Sequence, residues 1–168
     1  MQPHRLLLVR HAKAADGAVD RDRPLTARGE RRAAAIGSWL AQAGLVPDLV
    51  LVSPALRAAR TWDLASASLT SGRPPVVDAR IYDNTVEALL ETIRETPEDV
   101  GTVAVVGHNP SVGEFAAALD DGRGDPDARR TVDAGFPAGG VAVFTLATPF
   151  PEIGPGGATL DDFTVPGA

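Results

Sequence analysis

Three tetrapeptides without a polar residue constrain the fold of this chain more than any other feature: Leu6-Leu7-Leu8-Val9, Leu49-Val50-Leu51-Val52 and Val103-Ala104-Val105-Val106. A strand covered on one face alternates apolar and polar residues. One with no alternation is covered on both faces, as in a parallel sheet between helices. Each run ends in polar or turn residues: Arg10-His11-Ala12, then Ser53-Pro54-Ala55-Leu56-Arg57-Ala58, then Gly107-His108-Asn109-Pro110. Three strand ends therefore carry two histidines and two arginines toward one edge of the sheet. In open α/β sheets ligands bind outside the carboxyl ends of the strands. Histidine and arginine gathered there describe a site for an anionic group, and for chemistry on it.

The rest of the chain alternates in the same way. Arg5 to Arg10 reads as a central strand, followed by a polar loop from Lys13 to Pro24. Thr26 offers an N-cap for a helix to about Ala43, with Ile36, Trp39 and Leu40 at core-facing spacing and Gly44 as its stop. Leu49 to Val52 is the second strand, and Pro54 fits the first turn of a helix to about Leu69. Val76-Val77-Asp78-Ala79 reads as a short third strand. Thr85 caps a helix with the stripe Val86, Leu89, Leu90 and Ile93, ended by Pro97. Thr102 to Val106 and Val141 to Leu146 are further strands, with a helix from Ser111 to Leu119. Residues 120–132 read as a solvated loop. Behind Leu146 lies a Pro/Gly-rich tail, 147–168, to which Leu160 and Phe163 add at most a short edge strand. The expectation is one domain over 1–168, with its core at about 5–146 and helices on both faces of a mainly parallel sheet.

Composition narrows the function classes. At 168 residues the chain is long enough for one self-sufficient core. No apolar run approaches the roughly 18 residues of a membrane span, and the N-terminus does not read as a signal segment. The absence of cysteine removes disulfides, thiolate catalysis and cysteine metal sites, and suits a cytoplasmic location. A net charge of −6 argues against a general nucleic-acid surface. His4, His11 and His108 lack the short-range spacing of metal ligands, so no metal and no cofactor is expected. The remaining partners are a phosphorylated protein or a small phosphorylated substrate, bound by a monomer.

The motifs also stand in a particular order. Arg10-His11-Ala12 is followed by Asp20-x-x-Arg23-Pro24-Leu25-Thr26 and Arg28-Gly29, then by Ser53-Pro54, Leu56-Arg57-Ala58 and Thr61, then by Gly107-His108-Asn109-Pro110. This set resembles the histidine phosphatase superfamily, which includes the cofactor-dependent phosphoglycerate mutases, and looks most like its small SixA-like phosphohistidine phosphatase branch. The resemblance spans roughly residues 5–146. It implies a three-layer α/β/α fold of the phosphoglycerate mutase type and a two-step phosphoryl transfer in which His11 is the nucleophile.

The residues support that chemistry independently. A neutral imidazole is a competent nucleophile near pH 7. Phosphoryl transfer needs positioning and neutralised equatorial oxygens more than covalent assistance. Arg10, Arg57 and Arg23 supply permanently charged planar forks for those oxygens, and His108, Asn109 and Ser53 are further candidates to hold phosphate. His108 is expected to be cationic when phosphate is bound. Ser53 serves equally well as a cap for its helix.

The proton donor is open between Asp20 in the first loop and Asp83 in Ile81-Tyr82-Asp83-Asn84, with Asp20 taken provisionally. An alkoxide leaving group needs protonation, whereas imidazole, with a pKa of about 6.5, leaves readily. A site with a poor acid suits phosphohistidine. The expected activity is that of a protein phosphohistidine phosphatase. Its rivals are a small-molecule phosphomonoesterase or mutase and, outside enzymes, an inactive phosphate-binding scaffold.

Overall fold

The three apolar runs form the middle of the sheet. In the computed structural model, which describes residues 3–70 and 73–168, six strands are ordered β3-β2-β4-β1-β5-β6. The strands are β1 (Arg5–Arg10), β2 (Leu49–Val52), β3 (Val76–Val77), β4 (Thr102–Gly107), β5 (Val141–Leu146) and β6 (Ala158–Thr164). The first four run parallel, while β5 and β6 add an antiparallel edge beside β1. Six helices connect them: α1 (Ala27–Ala43), α2 (Leu56–Ser66), α3 (Ala79–Tyr82), α4 (Val86–Arg94), α5 (Ser111–Leu119) and α6 (Pro126–Ala134).

Successive strand residues point to opposite faces, and both faces are covered. Leu7, Val9, Val50, Val52, Ala104 and Val106 pack with Ile36 and Leu40 of α1 and with Ala58, Trp62 and Ala65 of α2. Leu6, Leu8, Leu51, Val103 and Val105 pack against Leu89 and Ile93 of α4, Phe115 of α5 and Val132 of α6. The missing alternation thus has its cause: no face of these strands meets water. Helices α1 and α2 approach so closely at Gly37 that a Cβ there would lie 1.9 Å from the Ala65 carbonyl oxygen.

Thr26 caps α1 through its hydroxyl, which accepts from the Gly29 N–H at 2.9 Å, and Gly44 closes the helix in the left-handed region at φ 69°. Thr85 caps α4 in the same manner.

Four expectations need correction. Residues 120–132 are not all loop: α6 begins at Pro126, capped by Asp125, and buries only Ala128 and Val132. Two apolar residues four apart give one contact stripe, too little to announce a helix in a charged stretch. The tail contributes a seven-residue strand, β6, paired along β5 and burying Ala158 and Leu160. The third strand stops at Val77, because the Asp78 side chain accepts from the Arg80 N–H and opens α3. Pro54 precedes α2, whose N-cap is Ala55.

Candidate active site

Strand register sets the site. Arg10 pairs with Gly107, and the His11 N–H donates to the Gly107 carbonyl at 3.0 Å. On the other side of β4 the Ser53 N–H donates to the Val106 carbonyl at 3.1 Å. His11, Ser53 and His108 therefore leave the sheet at one level. The two imidazoles meet edge to face with centroids 5.1 Å apart.

The turn after β1 is tied to helix α2. The Ala12 N–H donates to the Thr61 hydroxyl at 3.0 Å, and that hydroxyl donates to the Arg57 carbonyl at 2.7 Å. Thr61 is fully buried and holds His11 and Arg57 in fixed relation. The ring of His11 is oriented by a 2.8 Å bond between Nδ1 and the Ala12 carbonyl. A carbonyl only accepts, so Nδ1 carries the proton and Nε2 keeps its lone pair. Burial is the main cause of a His11 pKa of about 4, with Arg57, Arg10 and Arg23 adding to the depression and the Ala12 bond opposing it. The ring is neutral at physiological pH.

His108 is almost wholly buried, and its Nε2 lies 2.7 Å from the Ser53 hydroxyl. That hydroxyl already accepts from the Ala55 N–H at 3.2 Å. Its own hydrogen has no other acceptor among the described residues, so it points at Nε2 and the ring proton sits on Nδ1. Nδ1 is buried and has no protein partner. Desolvation first, then His11 and Arg57, push the His108 pKa down to about 3. With its proton on Nδ1, His108 is a neutral donor at physiological pH. Ser53 does not line the pocket; it is fully buried and fixes the tautomer of His108.

Arg10 donates from Nη1 to the Phe136 carbonyl at 2.8 Å, and the Asn109 amide donates to the same carbonyl at 3.1 Å. The Asn109 oxygen accepts from the Gly113 N–H. Asn109 reaches the pocket, yet its bonds fasten the 135–140 loop to the start of α5.

The opposite side is the first loop. It is closed at its base by an antiparallel bridge between Ala14 and Leu25 and by the Ala15 N–H on the Pro24 carbonyl at 2.8 Å. Its tip folds back as a 3-10 turn over Asp20–Asp22. There the Asp20 carboxylate accepts from Tyr82 Oη at 2.6 Å, Arg57 Nη2 at 3.1 Å and Arg23 Nη1 at 3.2 Å, while its carbonyl accepts from Arg57 Nη1 at 2.7 Å. The Tyr82 bond, with Arg57 and Arg23, drives the Asp20 carboxyl far below the usual carboxylate range. These partners favour its ionised form. The Asp20 bond in turn raises the Tyr82 phenol above its ordinary value. Asp83 is the C-cap of α3 and does not line the pocket.

These side chains enclose a cavity of about 390 Å³ lined by Arg10, His11, Asp20, Arg23, Arg57, Tyr82, Asn84, His108 and Asn109. Three arginines against one carboxylate leave it two positive charges in a chain of net charge −6. The Nε atoms of Arg10 and Arg57 are buried and, like His108 Nδ1, have no protein partner. The planar charged forks of Arg10, Arg23 and Arg57 in this lining suit an anion with several acceptor oxygens. Sequence reading missed Tyr82 and Asn84. Asn84 has φ 62°, donates to the Asn109 carbonyl and accepts from the Ser111 N–H, which holds the His108 turn. The only local signal for either was an Asn of the type that tolerates a left-handed turn. His4 packs edge to face on Phe150, away from this cavity. Among the described residues no group of three His, Cys, Asp or Glu side chains could hold a metal ion, and no helix is long and apolar enough to cross a membrane.

Comparison with known proteins agrees with this geometry. The phosphohistidine phosphatase SixA of Escherichia coli is 32% identical over 130 residues, covering 72% of this chain and 77% of that protein. An uncharacterized protein of Mycobacterium tuberculosis is 36% identical over 161 residues, covering 94% of this chain and 99% of its own. The structure of the protein histidine phosphatase SixA complexed with tungstate superposes with a TM-score of 0.78 at 27% identity, covering 96% of each chain. The profile of the histidine phosphatase superfamily (branch 1) matches residues 6–87, the stretch that holds His11, Asp20, Arg57 and Tyr82. This chain belongs to that superfamily.

Proposed function

We propose that this chain is a phosphatase that takes the phosphoryl group of phosphohistidine on a partner protein and passes it to water through His11. The observation that carries the reading is a single cavity lined by His11, His108 and three arginines, Arg10, Arg23 and Arg57, against one carboxylate, Asp20. In the first step the substrate ring carries a proton from solvent on its other nitrogen. His11 Nε2 attacks phosphorus, and the bond from phosphorus to the substrate imidazole nitrogen breaks with its electron pair passing to that nitrogen, so that neutral imidazole departs. In the second step water attacks, giving inorganic phosphate and free His11. Arg10, Arg57, Arg23 and the neutral His108 donor hold the equatorial oxygens, where charge is greatest in a loose phosphoryl-transfer transition state.

The choice of phosphohistidine rests on the leaving group. Tyr82, Arg57 and Arg23 favour the ionised form of Asp20, which makes it a poor acid for an alkoxide. Imidazole needs little help. Likeness to the Escherichia coli phosphohistidine phosphatase SixA supports the same substrate, and the tungstate complex of SixA supports an oxyanion site. Brief incubation with labelled substrate and a quench is expected to leave acid-labile, base-stable phosphate on His11, and His11→Ala is expected to lose both label and turnover. A panel of phosphohistidine peptide, aryl phosphate and sugar phosphates ranks the substrates. Full activity in His11→Ala overturns the mechanism, and a sugar phosphate at the head of the panel overturns the substrate.

A further inference from the structure

A second basic cavity adjoins the His11 turn. Lys13, Thr26, Arg28, Arg32 and Ala138 line a space of about 300 Å³. Its walls are fixed by the backbone. The Thr26 N–H and hydroxyl both donate to the Lys13 carbonyl, at 2.9 and 3.3 Å. A Cβ on Gly29 would lie 2.1 Å from the same oxygen, so only glycine lets α1 start this close to Lys13. Arg28 and Arg32 are four residues apart on α1 and share a face. Ala138 precedes Gly139, whose N–H donates to the carbonyls of both Arg10 and His11.

Charge balance sets this cavity apart. The other arginine-lined cavities also hold carboxylates: Asp20 beside Arg10, Arg23 and Arg57, Asp63 beside Arg60, and Asp78 and Glu95 beside Arg80. Among the described residues Lys13, Arg28 and Arg32 pair with no carboxylate, and none lines the cavity. Like charges at this helical spacing repel. The positive end of α1 adds to the same potential. In a chain with 22 acidic residues and 16 basic ones, three uncompensated cations in one concavity fit an anion from outside.

We propose that Lys13, Arg28 and Arg32 form a second anion-binding site, which takes an acidic side chain of the phosphorylated polypeptide while its phosphoryl group lies against His11. The inference rests on the phosphohistidine-protein reading above. Lys13 is two residues beyond His11, so the two cavities border the same turn of the chain. A polypeptide offers a second anionic group beside its phosphoryl group, and a single phosphate monoester does not.

The test compares kcat/KM for phosphohistidine peptides with Asp/Glu or neutral flanks, for a sugar monophosphate and bisphosphate, and for an aryl phosphate. It uses the wild type and the Lys13→Gln/Arg28→Gln/Arg32→Gln variant. The wild type is expected to prefer the acidic peptide about tenfold, the scale of a few exposed ion pairs, and the preference should shrink with added salt. The variant is expected to lose that preference while keeping its rates on the neutral peptide and the aryl phosphate. Equal rates on the two peptides in the wild type, or equal losses on both in the variant, overturn the proposal. If neither peptide is cleaved but the wild type alone prefers the bisphosphate, the protein-substrate reading falls and the anion site stands with a small ligand. If only the aryl phosphate is turned over and neither pair discriminates, both fall.

Discussion

The two walls of the pocket are made of different bonds. On the strand-end wall, His11 is oriented by a carbonyl of its own turn, Arg10 by the Phe136 carbonyl, and His108 by a fully buried serine. On the loop wall, Asp20, Arg23 and Tyr82 meet through side chains, and Asp20 is about half exposed. Arg57 stands between them, buried along its length but with its tip on Asp20. Backbone carbonyls and buried hydroxyls keep their places when phosphate enters. A carboxylate on the tips of Arg57 and Arg23 would compete for them with the phosphate proposed above. On the phosphatase reading the strand-end wall is a prepared site, and the loop wall is a clasp that phosphate would have to open.

The largest effect that separates the walls is in phosphoryl transfer itself. Arg10→Ala and His108→Ala are each expected to slow single-turnover phosphoenzyme formation about a hundredfold, the usual loss for one donor to a transition-state oxyanion. Arg23→Ala, on the loop wall, is expected to lose about tenfold or less, because its fork is shared with Asp20 and more exposed. Rapid-quench measurement decides it. A loss in Arg23→Ala equal to that in Arg10→Ala removes the distinction.

Ser53→Ala tests the tautomer argument. It leaves the buried Nε2 of His108 without a partner, at a cost of about 1–3 kcal/mol in denaturant unfolding, and frees the ring proton to move to Nε2. Phosphoenzyme formation is expected to fall about tenfold with little change in fold. Unchanged rate and stability mean that Ser53 is a helix cap and nothing more.

The sequence was legible where the physics is local. Continuous apolar tetrapeptides announced covered strands, and the residues that end them announced the strand-end wall. The clasp was not legible, because Tyr82 and Asp20 are 62 residues apart and meet only through the loop tip and α3. Helix α6 was hidden in Pro126–Ala134, where two apolar residues do the packing. The β6 edge was obscured by prolines and glycines on both sides of Ala158–Thr164. Asp20 was legible as a carboxyl of the first loop, whereas its bonds to Tyr82, Arg57 and Arg23 were not, because they join three separate stretches of the chain.

The pH profile probes the strand-end wall alone. In the proposed mechanism His11 attacks only when neutral. With a pKa of about 4 it is about 90% neutral at pH 5, where an ordinary histidine is about 3% neutral. The acid limb of kcat/KM, which reports the free enzyme, is expected near pH 4 after allowance for titration of the substrate phosphate. The unfolded chain binds more protons than the folded one between about pH 6.5 and 4, so stability declines as pH falls through that window. A limb near 6.5 places His11 in water and dissolves the prepared wall.

The smallest effect belongs to the clasp. Asp20→Asn keeps the shape and the Tyr82 contact but removes the charge that competes for Arg57 and Arg23. Vanadate and inorganic phosphate are expected to bind about two- to fivefold more tightly, the range for losing one exposed ion pair. The leaving-group series then decides between clasp and acid. A clasp changes single-turnover phosphoenzyme formation alike for alkyl phosphate, aryl phosphate and phosphohistidine, because it acts before any bond breaks. An acid does not: its loss hurts the alkyl ester most and phosphohistidine least. Steady-state rates blur the two, since the water that attacks the phosphoenzyme can use the same carboxylate as base, so the first step has to be isolated. A graded loss with no gain in phosphate affinity means that bound phosphate displaces Asp20 from its arginines and raises its pKa enough to load a proton. The loop wall would then belong to the chemistry, and the preference for an imidazole leaving group would lose its physical basis.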